Sequence, residues 1–173
     1  ALLAGDIETG VSLMDIGVEL DTGDVYAETR TVIAENDTLT SLRERLVQMG
    51  ATLLVDSLKQ GLPAPRPQTG DVTYAKKISS ADLNIDWAKT STDVDRLIRL
   101  GGAWTTFRGT RLKIHEVSVV AAQGTPGSIE DLVVACGEGA LELLVVQPEG
   151  KAKQDASSWK NGARVTSTDR LGQ

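Results

Sequence analysis

The chain has 173 residues and a formal net charge of −6, with 40% hydrophobic and 24% charged residues, a composition typical of a soluble protein of one or two globular domains. No apolar run approaches the roughly 20 residues that span a bilayer, so we predict no contact with a membrane. The single histidine and single cysteine, His115 and Cys136, exclude an internal disulfide and a His/Cys zinc cluster. We therefore expect a cytoplasmic protein that holds no metal.

The first predicted elements are two strands, because apolar residues nearly alternate over residues 10–16 and again over residues 24–33. We expect them to pair as antiparallel neighbours. Between them, Asp21 and Asp24 lie on either side of Gly23 in a tight acidic turn. Asp and Gly form ordinary turns, but an acid on a loop at a strand end can also act as a general acid or base. The residue pattern alone leaves both interpretations open.

A long helix follows the second strand. Asp37 or Thr38 begins it, and leucines then recur at three- and four-residue steps until Gly61 ends it, with Glu44 and Arg45 on the other face. Two strands and one helix cannot enclose a core by themselves. We therefore interpret residues 1–61 as the C-terminal part of a larger α/β domain.

A stiff, extended linker is predicted over residues 62–73, where three prolines fall within five residues. The charge also changes near this point. Residues 1–73 carry 5 Lys+Arg and 12 Asp+Glu, a difference of −7, whereas residues 74–173 carry 13 and 12, a difference of +1. The linker therefore predicts a second domain at residues 74–173. This domain is not basic overall, so its net charge does not by itself indicate a nucleic-acid partner.

The second half is predicted to be mainly β. Thr90 begins a short helix that Gly101 ends, and strands follow. The apolar alternation changes phase at His115-Glu116, which predicts a bulge on a strand where His115 is half exposed. Residues 137–139 form the turn of an apolar hairpin, with Cys136 in its core. Short strands with a bend and a hairpin are typical of a small barrel of the OB kind.

Several short motifs resemble one known family over essentially the whole chain. In the first half they are Gly5-Asp6, Thr9-Gly10-Val11 and Leu20-Asp21-Thr22-Gly23-Asp24. In the second half they are Ile85-Asp86-Trp87, Gly102-Ala103-Trp104, Leu112-Lys113-Ile114, residues 143–150 followed by Lys151, and Asn161-Gly162-Ala163-Arg164. The first set resembles the folate-dependent formyltransferases, and the combination resembles the methionyl-tRNA formyltransferase family within them.

The resemblance implies a fold and a reaction. Residues 1–61 would be the tail of a Rossmann-like formyltransferase domain, and residues 74–173 an OB-like domain that helps to hold tRNA. The family transfers a formyl group from 10-formyltetrahydrofolate to the amino group of methionine on initiator tRNA. We therefore expect a monomeric enzyme of translation initiation that uses folate and no metal.

The resemblance also implies roles for individual residues. Asp21 corresponds to the acid that supports proton transfer at the reacting centre. Gly17, Val18 and Glu19 would present backbone groups to the pterin ring of the folate. The family also uses an Asn and a His in a segment that should precede residue 1. We therefore expect the 173-residue chain to be inactive on its own.

Contacts to tRNA phosphates are expected from basic residues of the second half, although each could equally be a solvated surface residue. The candidates are Lys76, Lys77, Arg108, Arg111, Lys113, Lys151, Lys153 and Arg164. Two alternatives remain open. The chain could be a non-catalytic module that binds tRNA or an oligonucleotide, or it could belong to a related enzyme that formylates an amino sugar nucleotide.

Overall fold

The chain divides into two units, residues 1–76 and residues 77–173. The computed structural model describes residues 1–71 and 73–173. The first unit combines two strands with one long helix, whereas the second is mainly β. This order of elements confirms the predicted change from an α/β to a mainly β architecture. Within the described residues, no helix is both long and apolar enough to cross a membrane.

The first unit begins with an antiparallel pair of strands, β1 (Glu8–Met14) and β2 (Val25–Val32). The register is regular except for one shift between Leu13 and Met14, next to the connecting loop. The predicted pair is therefore confirmed, with strand ends displaced by one or two residues. The sheet of this unit contains these two strands among the described residues.

A 22-residue helix, α1 (Leu39–Gln60), follows β2. Thr38 caps it, because its hydroxyl accepts a hydrogen bond from the Ser41 amide and the Ser41 hydroxyl accepts one from the Thr38 amide. Gly61 ends the helix with a φ of 82°, as the sequence predicts. Leu42 is the one fully buried residue of α1. Leu46, Met49 and Leu53 are half-buried, whereas Leu39, Leu54 and Leu58 are 44–61% exposed.

Arg45 has a structural role that the leucine spacing does not indicate. Its guanidinium makes an ion pair with the buried Asp37 carboxylate and donates to the Val32 carbonyl at 3.0 Å. Asp37 also accepts from the Ala34 amide at 2.8 Å and from the Ser41 hydroxyl at 3.0 Å. The hydrogen bond from Arg45 lowers the pKa of Asp37 to about 2, against the opposing effect of burial. Because α1 begins beside the end of β2, Arg45 reaches back two turns to fasten helix to strand.

The second unit contains one six-stranded antiparallel sheet and two helices. The strands are β3 (Trp104–Phe107), β4 (Thr110–Val120), β5 (Ile129–Glu130), β6 (Val133–Ala135), β7 (Ala140–Pro148) and β8 (Gln154–Asp155). The order is β3-β4-β7-β6-β5, with β8 paired to β7. The helices are α2 (Ser91–Leu100), capped by Thr90, and α3 (Ala156–Ala163). This strand-rich sheet agrees with the predicted small barrel-like domain.

The predicted bulge lies in the middle of β4. The pairing of β4 with β7 shifts register on both sides of Glu116, after Ile114 and before Val117. Up to the bulge, Leu112 and Ile114 point into the core, while the alternate residues Arg111, Lys113 and His115 are partly exposed. The bulge therefore sets the length of the polar face of β4.

Aromatic side chains pack in the core of the second unit. Phe107 and Trp159 meet edge to face with ring centroids 5.0 Å apart. The buried Trp87 indole N–H donates to the buried Thr105 hydroxyl at 3.0 Å, so both polar groups are satisfied. Cys136 is buried in the same core, and burial raises the pKa of its thiol to about 11. This agrees with the predicted role of Cys136 as a core residue.

Candidate functional site

The loop between β1 and β2, residues 15–24, is closed tightly at its base. The Asp15 amide donates to the Asp24 carbonyl at 2.9 Å. A Cβ atom on Gly23 would overlap the Asp15 carbonyl oxygen, so this position requires glycine. The interaction with the Asp15 side chain, followed by burial and the negative charges of Asp15 and Asp24, raises the pKa of Tyr26. The local sequence thus builds a constrained acidic loop.

The backbone of Asp21 is held from the linker. The side-chain amide of Gln68 donates to the Asp21 carbonyl at 2.9 Å and to the Gly23 carbonyl at 2.8 Å. A further tie lies nearby, where Arg66 and Val25 exchange backbone hydrogen bonds of 2.8 and 2.9 Å. The prolines of this segment predict an extended linker but do not indicate the role of Gln68. Gln68 lies 47 residues from Asp21 in the sequence, and no local pattern connects them.

The Asp21 carboxylate is exposed, and within the described part of the chain it has no hydrogen-bond or ion-pair partner. The residue has a φ of 57°, in the left-handed region that an Asp tolerates in turns. A general acid or base must be able to reach the reacting proton. An exposed carboxylate on a backbone held by other residues meets that requirement.

The segment that precedes Asp21 is open to solvent and partly apolar. Gly17, Val18 and Glu19 are all exposed, and the Thr22 hydroxyl donates to the Glu19 carbonyl at 3.1 Å. Ile16, Val18 and Leu20 are at least 90% exposed. Neighbouring exposed apolar side chains mark surfaces that contact another molecule or another part of a protein. This loop can therefore receive an apolar ring beside an acid.

The second unit uses one predicted tRNA-binding residue as an internal fastener. Arg108 donates twice to the Asp169 carboxylate, at 2.8 and 2.7 Å, and also bonds to the carbonyls of Ala163 and Arg164. Its guanidinium lies 4.7 Å from the centre of the Phe107 ring. Arg164, at the end of α3, is exposed with a φ of 51°. The tRNA contacts of Arg108 and Arg164 stay predictions, but most donors of Arg108 are already engaged.

The other candidates on β4 form a polar surface. The Arg111 guanidinium lies 4.2 Å from the Trp104 ring centre and donates to the Ser80 hydroxyl at 3.1 Å. Arg111 and Lys113 line a shallow depression of about 230 Å³ together with residues 147–150. Lys76, Lys77, Lys151 and Lys153 are exposed. Arg111 and Lys113 thus lie on one surface. Arg108, in contrast, bonds mainly to other residues of the second unit.

The described residues contain no group of three or more His, Cys, Asp or Glu side chains placed to hold a metal ion. His115 lies on β4 in the second unit, half exposed as predicted, with its Nε2 atom 3.0 Å from the Gln147 side-chain oxygen. His115 and Asp21 therefore belong to different units of the chain.

Two family models match these two units. The formyl transferase model matches residues 1–58, and the model of the formyl transferase C-terminal domain matches residues 77–164. The chain therefore belongs to the formyl transferase family. A methionyl-tRNA formyltransferase from Paracoccus denitrificans is 44% identical over 178 residues, which cover 99% of this chain. The chain spans about 59% of the length of that relative.

Two solved structures share the fold. HypX from Aquifex aeolicus in complex with tetrahydrofolic acid has a TM-score of 0.69 at 18% identity, covering 92% of this chain and 31% of HypX. WlaRD, a sugar 3N-formyl transferase crystallised in the presence of dTDP and 5-N-formyl-THF, has a TM-score of 0.64 at 18% identity, covering 87% of this chain and 58% of WlaRD. At this identity the likeness concerns the fold alone.

Proposed function

We propose that this chain takes part in the transfer of a formyl group from 10-formyltetrahydrofolate to the amino group of methionine on initiator tRNA. The observation that carries the proposal is the free, exposed carboxylate of Asp21 on a loop whose backbone Gln68 holds. Because the chain belongs to the formyl transferase family, we assign that carboxylate to the formyl-transfer reaction. The methionyl-tRNA formyltransferase relative supports this particular acceptor.

Asp21 is the proton carrier in this proposal. The amine nitrogen attacks the formyl carbon and forms a new C–N bond, and the bond between that carbon and the folate nitrogen breaks. The attacking amine must lose a proton and the departing folate nitrogen must gain one, so the overall step needs no added oxidant or acid. A carboxylate near both nitrogens can move the proton, directly or through a water molecule.

The folate would lie against the apolar side of the same loop. Gly17, Val18 and Glu19 supply backbone groups, and the exposed side chains of Ile16 and Val18 supply apolar surface for the pterin ring. Folate compounds named with the HypX and WlaRD structures support a donor of the tetrahydrofolate type. No metal takes part in this proposal.

We assign residues 62–73 to a linker and residues 74–173 to the domain that would hold the tRNA. Exposed lysines and Arg111 supply phosphate contacts, which give affinity without reading base sequence. We propose a monomer that acts in the cytoplasm, where translation initiates.

The 173-residue chain is expected to be inactive without further residues. The proposed chemistry also needs donors that stabilise the negative charge on the formyl oxygen in the transition state. The family resemblance assigns this role to an Asn and a His, and His115, the one histidine of the sequence, lies in the second unit. We therefore propose that these donors come from the part of the relatives that this chain does not span.

A chimera tests this proposal. The matching C-terminal part of the Paracoccus denitrificans relative is replaced with this chain, and formyl transfer to initiator methionyl-tRNA is measured. We expect transfer by the chimera and a loss of roughly 10²–10⁴-fold with Asp21→Asn, because proton transfer is removed. Asp24→Asn, in the same loop, is the matched control and should change the rate by only a few-fold. Equal losses in both variants would contradict a catalytic role for Asp21.

The alternatives are outcomes of the same assay. A chimera that binds tRNA but never transfers a formyl group would make this chain a tRNA-binding module. The likeness to WlaRD favours testing a dTDP-linked amino sugar as the acceptor as well. Faster transfer to that sugar than to methionyl-tRNA would replace the proposed acceptor.

A further inference from the structure

A row of polar side chains crosses three strands of the second unit. Lys113 on β4 is the register partner of Gln147 on β7. The register of β7 with β8 pairs Val146 with Gln154, so its continuation sets Lys153 beside Gln147 on the other side. Lys113 is half exposed and Lys153 is exposed, and neither has an ion-pair partner among the described residues. Two positive charges therefore flank a central glutamine.

His115 joins this row through a directed chain of hydrogen bonds. The Lys151 carbonyl can only accept, so the Gln147 group 2.8 Å from it is the amide nitrogen, which donates. The Gln147 oxygen then faces His115 Nε2 at 3.0 Å and can only accept. His115 must therefore carry a proton on Nε2 in its neutral form. Its Nδ1 atom is left as the atom that gains a proton when the ring becomes charged.

The charges around His115 favour the neutral ring when no ligand is bound. Burial is the largest cause that lowers the pKa of His115, and the charges of Lys153 and Lys113 lower it further. The hydrogen bond with Gln147 and the charge of Glu116 act in the opposite direction and are outweighed. An anion placed between the two lysines would offset their repulsion of the imidazolium and raise the pKa again. Ligand charge and His115 protonation are therefore coupled.

We infer that Lys113, His115 and Lys153 form a binding site for an RNA backbone phosphate, and that binding is accompanied by proton uptake at His115 Nδ1. The inference rests on the proposed function, because tRNA is the source of the phosphate. The open position of the row on the sheet surface suits a phosphodiester in a continuous backbone. Free phosphate has the same chemistry and is the comparison ligand in the test.

The single histidine makes the test direct. The ring proton resonances of His115 are followed by NMR from about pH 5 to about pH 8, with the free chain, with deacylated initiator tRNA and with inorganic phosphate. We expect the titration midpoint to rise with tRNA and to move little with inorganic phosphate. The tRNA dissociation constant should fall about three- to tenfold from about pH 8 to about pH 5.5, which corresponds to a pKa rise of up to about one unit.

Two variants sharpen the result. His115→Gln cannot gain the proton and should bind tRNA with an affinity that does not change over this pH range. Lys76→Ala, a control outside the row, should weaken binding to a similar extent at each pH and keep the pH dependence. Binding of tRNA to the wild-type chain with an unmoved His115 midpoint would overturn this inference and leave the proposed function intact. Failure of tRNA to bind at low salt and at about pH 5.5 would overturn both.

Discussion

The two units differ sharply in what they bury. In the second unit, seventeen buried residues form one apolar cluster that includes Trp87, Leu143 and Trp159. In the first, Leu2 and Leu42 are the buried apolar side chains among the described residues. The first unit contains the same kinds of apolar residues, but its sheet has two strands with which to cover a 22-residue helix.

Similar apolar patterns therefore contribute differently to the stability of the two units. An apolar stripe stabilises a helix only when another surface covers it. In α1, Leu54, Val55 and Leu58 are 44–61% exposed, so most of their burial energy is not realised within this chain. A two-stranded pair is itself marginal in water. The second unit buries its apolar surface in its own core, whereas much of the apolar surface of α1 in the first unit stays exposed.

Separating the units gives the largest expected effect. Residues 77–173 should show a cooperative thermal unfolding transition, because their core is complete. Residues 1–76 should show no cooperative transition, because too little apolar surface is buried. Circular dichroism during heating measures both. Cooperative unfolding of the isolated first unit would show that it too has a complete core, contrary to this prediction.

Matched truncations in the two units should differ by several kcal/mol. Trp159→Ala removes a ring that packs on Phe107 in the core and should cost about 3–5 kcal/mol. Leu54→Ala on the exposed face of α1 should change stability by about 0.5 kcal/mol or less. Urea unfolding of the 173-residue chain, followed separately by tryptophan fluorescence and by helix signal, measures both changes. A large loss for Leu54→Ala would mean that this helix face is already covered in solution.

The ion pair between Asp37 and Arg45 gives the next effect. Asp37→Asn should destabilise the attachment of α1 by roughly 1–3 kcal/mol, because a buried charged hydrogen bond is lost. The pKa of Asp37 is lowered to about 2 in the folded chain. Its contribution is therefore present above its unfolded pKa of about 4 and is lost as the pH falls towards about 2. Hydrogen exchange of α1 amides in wild type and variant should converge over that interval, and parallel curves would contradict this assignment.

The smallest effect concerns the linker. Gln68→Ala removes two hydrogen bonds to the loop of Asp21 and should favour local opening by about 1 kcal/mol per bond or less. Exchange of the Asp15 amide, which bonds across the loop base, reports this opening. Gln60→Ala, at the exposed end of α1, is the control. Equal exchange in both variants would show that the linker does not hold the loop.

Local patterns predicted the elements well and their side-chain partners poorly. Alternation located β1 and β2, leucine spacing located α1, and a change of phase located the bulge beside His115. The partners of Arg45, Gln68 and Arg108 depend instead on which distant backbone groups lie nearby after folding. A carbonyl at the end of a strand or in a loop leaves no mark in the sequence of the residue that bonds to it.

The same limit applies to the candidate sites. Asp21 could be singled out because its motif resembles a family, yet nothing in the residues around it predicts that a glutamine beyond the helix holds its backbone. Similarly, His115 could be predicted as half exposed, but its tautomer depends on Gln147 and on the Lys151 carbonyl. These features arise only when strands from different parts of the chain meet.

The burial of Cys136 makes its thiol a reporter of the opening of the second unit. A thiol reacts as the thiolate, and the raised pKa and enclosure of this one keep it unreactive while the second unit is closed. Since the sequence has no other cysteine, the rate of alkylation counts openings of the second unit alone. The rate of alkylation by one reagent therefore measures the opening of the second unit within the intact chain.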